Sequence, residues 1–331
     1  MSTATDGREI TISQAINEAI REEMSRDESV FLWGEDVAAY GGVFKVTDGI
    51  LNEFGPTRVY DTPISEAGIV GVGVGAAMTG CRPIVEIMFC DFMTLAMDQL
   101  VNQAAKIHYM SGGKFHVPMV LRTTLGAGRR AAAQHSQSLH AWVSHIPGLK
   151  VVLPSTPYDA KGLLKTAIRD DNPVVFFEDK MMYKLKGPVP AEDYTIPFGV
   201  ADIKRAGSDV TIVATSSMVQ VALGAAKLLE DIDISAEVID PRTVWPLDEQ
   251  TLIESAKKTS RVIVVDEGYG RYGVTAEIAS VIAEGAFFDL EAPVKRIGAM
   301  HVPIPFAPPL EDATVPTEQS VFEAARALCG R

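Results

Sequence analysis

The chain has only three cysteines in 331 residues, Cys81, Cys90 and Cys329, and no two are spaced as CxxC. That excludes a disulfide scaffold and a zinc ribbon, and it fits incidental or buried thiols in a reducing compartment. There is no run of about 18 apolar residues, so no membrane-spanning helix is expected. Positive charge is scarce: 30 Lys and Arg stand against 43 Asp and Glu, for a formal net charge of −13. Phosphate neutralisation needs clustered cations and a positive field, so general nucleic-acid binding is excluded and a basic protein partner is favoured. The opening MSTATDGREITIS lacks the basic and apolar blocks of a signal peptide, and a cytoplasmic location is expected. Neither GxSxG nor HExxH occurs. His135, His140 and His145 are five residues apart and do not share a helical face, so neither a serine hydrolase nor a zinc site is supported.

Hydrophobic residues make up 47% and charged residues 22%, a balance that buries a substantial core and leaves only Met1–Arg8 expected to lack order. The length suits two domains of about 150 residues each. TISQAINEAIREEMSRD opens with a capping-box pattern, Thr11 to Gln14, and sets Ile16, Ala19, Ile20 and Met24 on one helical face. Strand-like SVFLWGED, RPIVEIMF, VPMVLRTT, LKVVLPS and PVVFFED then alternate with helical Asp91–Met110 and PYDAKGLLKTAIRDD. This rhythm predicts an α/β fold with mostly parallel sheets. MMYKLKGPVPAEDYTIPFGV reads as a linker. A second α/β unit follows, with strands DVTIVAT, SAEVIDPRT and SRVIVVDEG and a last helix over Thr317–Cys329.

The stretch DTPISEAGIVGVGVGAAMTG, Asp61 to Gly80, carries Glu66 followed by five glycines. Gly71, Gly73 and Ala76 approach the GxGxxG phosphate-loop pattern, but they fall inside a small-residue helix rather than before it, which favours close helix packing. Glu66 follows TPIS, where Ser65 is placed to cap a helix and a first-turn acid is favoured by the dipole. Its other reading is a functional carboxylate at the mouth of a parallel sheet. His135 lies in a long polar, glycine-rich connection, GAGRRAAAQHSQS, of the kind where functional residues concentrate.

GEDVAAYGGVFKVTDGI, DTPISEAGIVGVGVGAAMTGCRPIVEI, DQLVNQAAKIHYMSGG, QHSQS, GLKVVLPSTPYDAKGLLKTAIRDDNPVVFFE, DPRTVWPLD and DEGYGRYGVTAEIA run in order over almost the whole chain. Together they resemble the β subunit of the thiamine-diphosphate-dependent E1 component of 2-oxo-acid dehydrogenase complexes. FFEDKMMYKLKGPVPAEDYTIPFG looks most like the acetoin dehydrogenase branch. The resemblance implies two transketolase-like domains, residues 1–190 pyrimidine-binding and residues 191–331 used in assembly. It also implies an α₂β₂ heterotetramer that forms a thiamine-diphosphate-bound two-carbon intermediate from pyruvate or acetoin and transfers it to lipoyl-E2. The diphosphate and Mg²⁺ are expected on the α subunit, whose GDG-to-Asn motif this chain lacks; TDG at 47–49 does not match it.

By the same resemblance Glu66 contacts N1′ of the aminopyrimidine, Ile64, Met88 and Phe92 line its ring, and His135 assists reductive acyl transfer to lipoyl. Phe92 also reads as plain core. Glu35 lines up with an acid of a proton path between two active sites, or is a strand-end surface acid. Met119, Ala167, Ile168, Asp170 and Asn172 match positions that hold K⁺ in some members; the plainer reading of IRDDNP is a helix end and a turn. The lipoyl domain and the peripheral-subunit-binding domain of E2 are expected partners, the latter drawn to acidic residues near Glu291. A nicotinamide-dependent oxidoreductase and a noncatalytic assembly subunit are the alternatives.

Overall fold

Thr11 starts the first helix, α1 (Ile12–Arg26), by the capping box written in its sequence: its hydroxyl accepts from Gln14 N at 3.2 Å and its own N–H donates to Gln14 Oε1 at 2.9 Å. The computed structural model describes residues 8–330. The stretch Met1–Arg8, apart from Arg8, and most of the segment read for a signal peptide therefore lie outside the described residues. Contacts divide the described chain into two units, residues 8–125 with 142–198, and residues 126–141 with 199–330.

In the first unit the strands are β1 (Glu9–Thr11), β2 (Val30–Gly34), β3 (Val59–Asp61), β4 (Arg82–Ile87), β5 (Val120–Leu125), β6 (Lys150–Val152), β7 (Val174–Asp179) and β8 (Lys186–Pro188). Six of them form one parallel run in the order β6-β7-β5-β4-β2-β3. All six therefore deliver their carboxyl ends to one edge, where ligands of α/β proteins bind. The helices are α1, α2 (Ile50–Phe54), α3 (Glu66–Met78), α4 (Cys90–Met93), α5 (Ile107–Met110) and α7 (Pro157–Arg169), while α6 (His140–Ser144) spans the division between the units. Thr156 caps α7 by accepting from Asp159 N, with Pro157 at the helix start. The α1 face of Ile12, Ile16, Ile20 and Met24 packs into one core with Leu163, Leu164 and Ile168 of α7, each buried side chain contributing about 1.5–3 kcal/mol.

Two expectations are modified here. The segment Asp91–Met110 is helical but broken, running from α4 through a 3₁₀ turn, Thr94–Ala96, and a π turn, Gln99–Ala104, to α5. Leu100 and Ala104 are buried within the wider turn, a single-turn π bulge of the kind found inside helical segments. The segment read as a linker is tied down, because β1 pairs antiparallel with β8 and Met182, Tyr183, Val189 and Ile196 are all buried.

The second unit holds β9 (Asp202–Arg205), β10 (Val210–Ala214), β11 (Ala236–Asp240), β12 (Thr243–Trp245), β13 (Val262–Tyr269) and β14 (Lys295–Ala299). Its sheet has the order β14-β13-β10-β11-β9, parallel except for β9. Helices α8 (Met218–Glu230), α9 (Glu249–Thr259), α10 (Val274–Ala286), α11 (Pro308–Thr314) and α12 (Glu318–Leu328) complete it. Two cores flank the sheet, one with α8 and α12 and the other with α9 and α10. Both units are thus mostly parallel sheets flanked by helices. No helix among the described residues is long and apolar enough to cross a membrane.

Candidate active site

Glu66 is the first residue of α3 and is only 7% exposed. Ser65 precedes it but makes no side-chain capping bond, so the expected cap is absent and the carboxylate stands alone at the amino end. The glycines lie within α3, not ahead of it. A Cβ on Gly73 would stand 2.8 Å from Val85 Cγ2 and 2.9 Å from Met119 Sδ, so that glycine serves close packing rather than phosphate binding.

Glu35 follows the last residue of β2, the strand that pairs with β3. Its carboxyl is pushed above the usual range by burial, and then by the negative charges of Glu66, Asp36 and Glu86. Glu35 therefore senses Glu66 across neighbouring strand ends. Asp61 at the end of β3 fixes this corner by accepting from Ala38 N at 2.7 Å and Ala39 N at 3.2 Å.

Beneath the same edge lies a charge network that no sequence motif announces. Arg122 of β5, 2% exposed in its side chain, donates to both oxygens of Glu178 in β7 at 2.7 and 2.8 Å and to Glu86 of β4 at 2.6 Å. Tyr183 adds a bond to Glu178 at 2.7 Å. Burial raises the Glu86 carboxyl, Arg122 lowers it, and the rise prevails. The Arg122 guanidinium is held strongly protonated: burial opposes its charge, but Glu178 and Glu86 outweigh that.

Ile64 is 81% exposed. Met88 and Phe92 are half-buried just beyond β4. The Met88 carbonyl accepts from Thr124 Oγ1 at 2.7 Å, and Phe92 meets Phe89 edge to face at 6.0 Å. Among the described residues the Thr62 hydroxyl, buried ahead of Ile64, has no hydrogen-bond partner. A buried acid, an orphaned hydroxyl and exposed apolar surface fit a flat heterocycle that both stacks and hydrogen-bonds.

Of the five positions matched to a cation, Ile168 and Asp170 are brought together by Arg82, whose Nη1 donates to both carbonyls at 3.1 Å. The Met119 carbonyl accepts from Val174 N at 2.9 Å and the Ala167 carbonyl from Asp170 N at 3.3 Å. The Asp170 side chain pairs with Lys150 and accepts from Asn172 N at 2.8 Å. Each carbonyl keeps a second lone pair, and an all-oxygen set suits a hard cation. Arg82 and Lys150 already supply positive charge there. Among the described residues no three His, Cys, Asp or Glu side chains cluster as metal ligands.

His135 belongs to the second unit, half-buried on the 126–141 connection. The same connection lines a cavity of about 310 Å³ through Ala133 and Gln137, opposite Tyr269, His301, Val302 and Pro303. Glu291, expected to face a partner, is exposed and paired with Arg261.

Two family descriptions match this chain: "Transketolase, pyrimidine binding domain" over residues 8–186 and "Transketolase, C-terminal domain" over residues 199–321. It is 52% identical to the acetoin:2,6-dichlorophenolindophenol oxidoreductase subunit beta of Bacillus subtilis, with 98% of each chain covered. It is 51% identical to the pyruvate dehydrogenase E1 component subunit beta of Rickettsia felis, covering 97% of this chain and 98% of that one. The 2-oxoisovalerate dehydrogenase subunit beta of Bacillus subtilis is 49% identical over 95% of this chain and 97% of its own. A solved structure, "Split gene transketolase, inactive beta4 tetramer", superimposes with a TM-score of 0.79 at 24% identity, covering 97% of this chain and 98% of that one, and shows the shared fold alone. With two transketolase domains in order and full-length identity near one half to such subunits, the chain belongs to the transketolase-like family of E1 β subunits.

Proposed function

We propose that this chain is the β subunit of an α₂β₂ E1 that takes a two-carbon unit from pyruvate or acetoin and passes it to lipoyl-E2. The observation that carries the reading is Glu66, a buried carboxylate at a helix start on the carboxyl edge of a parallel sheet, in a chain similar over its whole length to E1 β subunits. Thiamine diphosphate, when bound, supplies a thiazolium carbon that becomes nucleophilic on losing its proton. Glu66 holds and shares a proton at N1′ of the aminopyrimidine, Ile64, Met88 and Phe92 keep water from its ring, and the Thr62 hydroxyl gains a partner. Glu35, whose carboxyl is pushed up first by burial and then by the charge of Glu66, is the acid that would join a proton path between two active sites.

The α subunit would hold the diphosphate and Mg²⁺, and oxygens of Met119, Ala167, Ile168, Asp170 and Asn172 would hold K⁺, supplying a fixed positive charge. Residues 1–190 bind the pyrimidine and residues 191–331 serve assembly and E2 docking near Glu291, in the cytoplasm. The glycine placement within α3 speaks against the nicotinamide alternative.

The test is co-expression with an α chain and measurement of thiamine-diphosphate-dependent turnover of both substrates in wild type and Glu66→Gln. A loss of at least about 10²-fold with unchanged assembly is expected, the usual worth of a positioned proton-transfer group. Full activity in Glu66→Gln would sink the mechanism and leave the noncatalytic alternative. Activity in the β chain alone would remove the need for a partner.

A further inference from the structure

The 126–141 connection, which carries His135, is held within the second unit in a conformation that its own residues disfavour. Gly126 and Gly128 have φ of 97° and 92°, and the non-glycine residues Arg130 and Ala132 have φ of 58° and 61°. Side chains in that left-handed region clash with their own backbone, so the shape persists only where surroundings impose it.

Two carboxylates from distant elements impose it here. Glu267 of β13 accepts from Ala127 N at 2.6 Å. Glu311 of α11, 1% exposed, accepts from Gly128 N at 2.7 Å through one oxygen, and through the other from Arg130 N at 3.2 Å and Arg130 Nη1 at 2.8 Å. Arg130 also reaches Asp312 at 2.7 Å and the Pro308 carbonyl at 3.2 Å, which binds the connection to both ends of the same helical turn. Gly126 N closes the base on Gln137 O at 3.2 Å. A carboxylate so deeply buried is tolerable only when its oxygens are filled by donors, and every donor shown for Glu311 comes from this connection. Moving the connection would therefore strand a buried charge. The coupling runs both ways.

We propose that Glu311 is a positioning residue for His135, acting on acyl transfer to lipoyl through the backbone of residues 128–130. This rests on the proposed function and on the role in reductive acyl transfer that the family resemblance implies for His135. In that transfer the two-carbon unit leaves at the acyl level as a thioester on one lipoyl sulfur. The S–S bond breaks, the unit's two electrons reduce the second sulfur, and that sulfur takes a proton which His135 delivers. A donor must lie within hydrogen-bond reach of that sulfur, and a displacement of about 1 Å is worth up to about 10²-fold in rate.

The experiment uses the co-expressed αβ complex and two assays: reduction of 2,6-dichlorophenolindophenol, which bypasses lipoyl, and acyl transfer to a free lipoyl domain. Glu311→Gln keeps the size of the side chain but can no longer accept from Gly128 N and Arg130 N together. It is expected to lower the ratio of lipoyl transfer to dye reduction by about ten- to hundredfold. Gly128→Ala, which leaves Glu311 in place but strains the left-handed backbone, is expected to lower the same ratio, and it decides alone if Glu311→Gln fails to assemble. A ratio unchanged in these variants, or both rates falling in parallel, overturns the proposal and leaves Glu311 a structural latch. His135→Ala separates the two readings. If that variant leaves the ratio intact, the role of His135 fails; if it lowers the ratio while Glu311→Gln and Gly128→Ala do not, only the positioning role fails.

Discussion

Arg122→Met tests the charge network under the site. Methionine roughly replaces the apolar stem of arginine, so the change removes chiefly charge and three charge-assisted bonds, at 2.6, 2.7 and 2.8 Å. What remains is two carboxylates, Glu86 and Glu178, within β4 and β7 and without their cation. Breaking a buried pair by deleting one partner costs about 3–5 kcal/mol, and that is the loss expected at pH 8. The sign of the pH dependence follows from Glu86. Its folded pKa is raised, so its contribution to stability is complete below the unfolded value, about 4.3, and is lost as pH rises through the folded value. Arg122 pulls that folded value down; without it the loss deepens as pH climbs. The deficit should therefore shrink between pH 8 and pH 5.5. Native-state hydrogen exchange of the β4, β5 and β7 amides in the αβ complex, corrected for intrinsic rates, measures it locally. Replacing both acids by Gln in the Arg122→Met chain should recover most of the loss. A deficit under about 1 kcal/mol, or one equal at the two pH values, would refute the reasoning.

Two further outcomes are expected. Gly73→Ala should destabilise by about 1–3 kcal/mol, because its Cβ meets Val85, Met119 and Trp33, whereas Gly75→Ala, with nothing within 4 Å, should stabilise by about 0.5–1 kcal/mol; chemical unfolding that gave both one sign would contradict the packing account. Glu35→Gln should raise the melting temperature at pH 8, since burial and the charge of Glu66 disfavour the ionised Glu35 carboxyl, and the gain should vanish in acid below the unfolded value; a gain independent of pH would contradict it.

What the sequence makes legible is what neighbours along the chain decide. The capping box at Thr11, the strand-helix rhythm and the acid opening α3 all rest on contacts a few residues long. The Arg122 network is different. Nothing local marks the lone arginine in VPMVLRTT as half of a buried pair, because its partners stand 36 and 56 residues away and depend on a parallel register that sets Arg122 opposite Glu86. Glu311 is 183 residues from Gly128, and nothing in APPLEDATVP distinguishes it from Asp312 beside it. The proline-rich 181–200 segment reads as a linker because its breaks are local, while the burial of Tyr183 and Ile196 comes from packing on a core assembled elsewhere. The strand β14 and helix α9 also escaped the pattern; β14 has a single buried residue, Ala299, and opens on two exposed cations, and α9 is announced chiefly by Asp248, which caps it through Thr251 N.

The grouping of residues 126–141 with the second unit has a consequence for anyone who cuts this chain. A fragment ending near residue 190 would carry the His135 connection but none of Asp266, Glu267 and Glu311, so its left-handed residues would be free to relax. A fragment beginning there would carry two buried acids, Asp266 and Glu311, and the half-buried Glu267, each deprived of a group it now binds, namely His140, Gly128 N with Arg130, and Ala127 N. Exchange of halves between relatives would succeed only if the 126–141 segment travelled with the carboxyl-terminal half. The unit of inheritance for this connection is its set of anchors rather than its place in the chain.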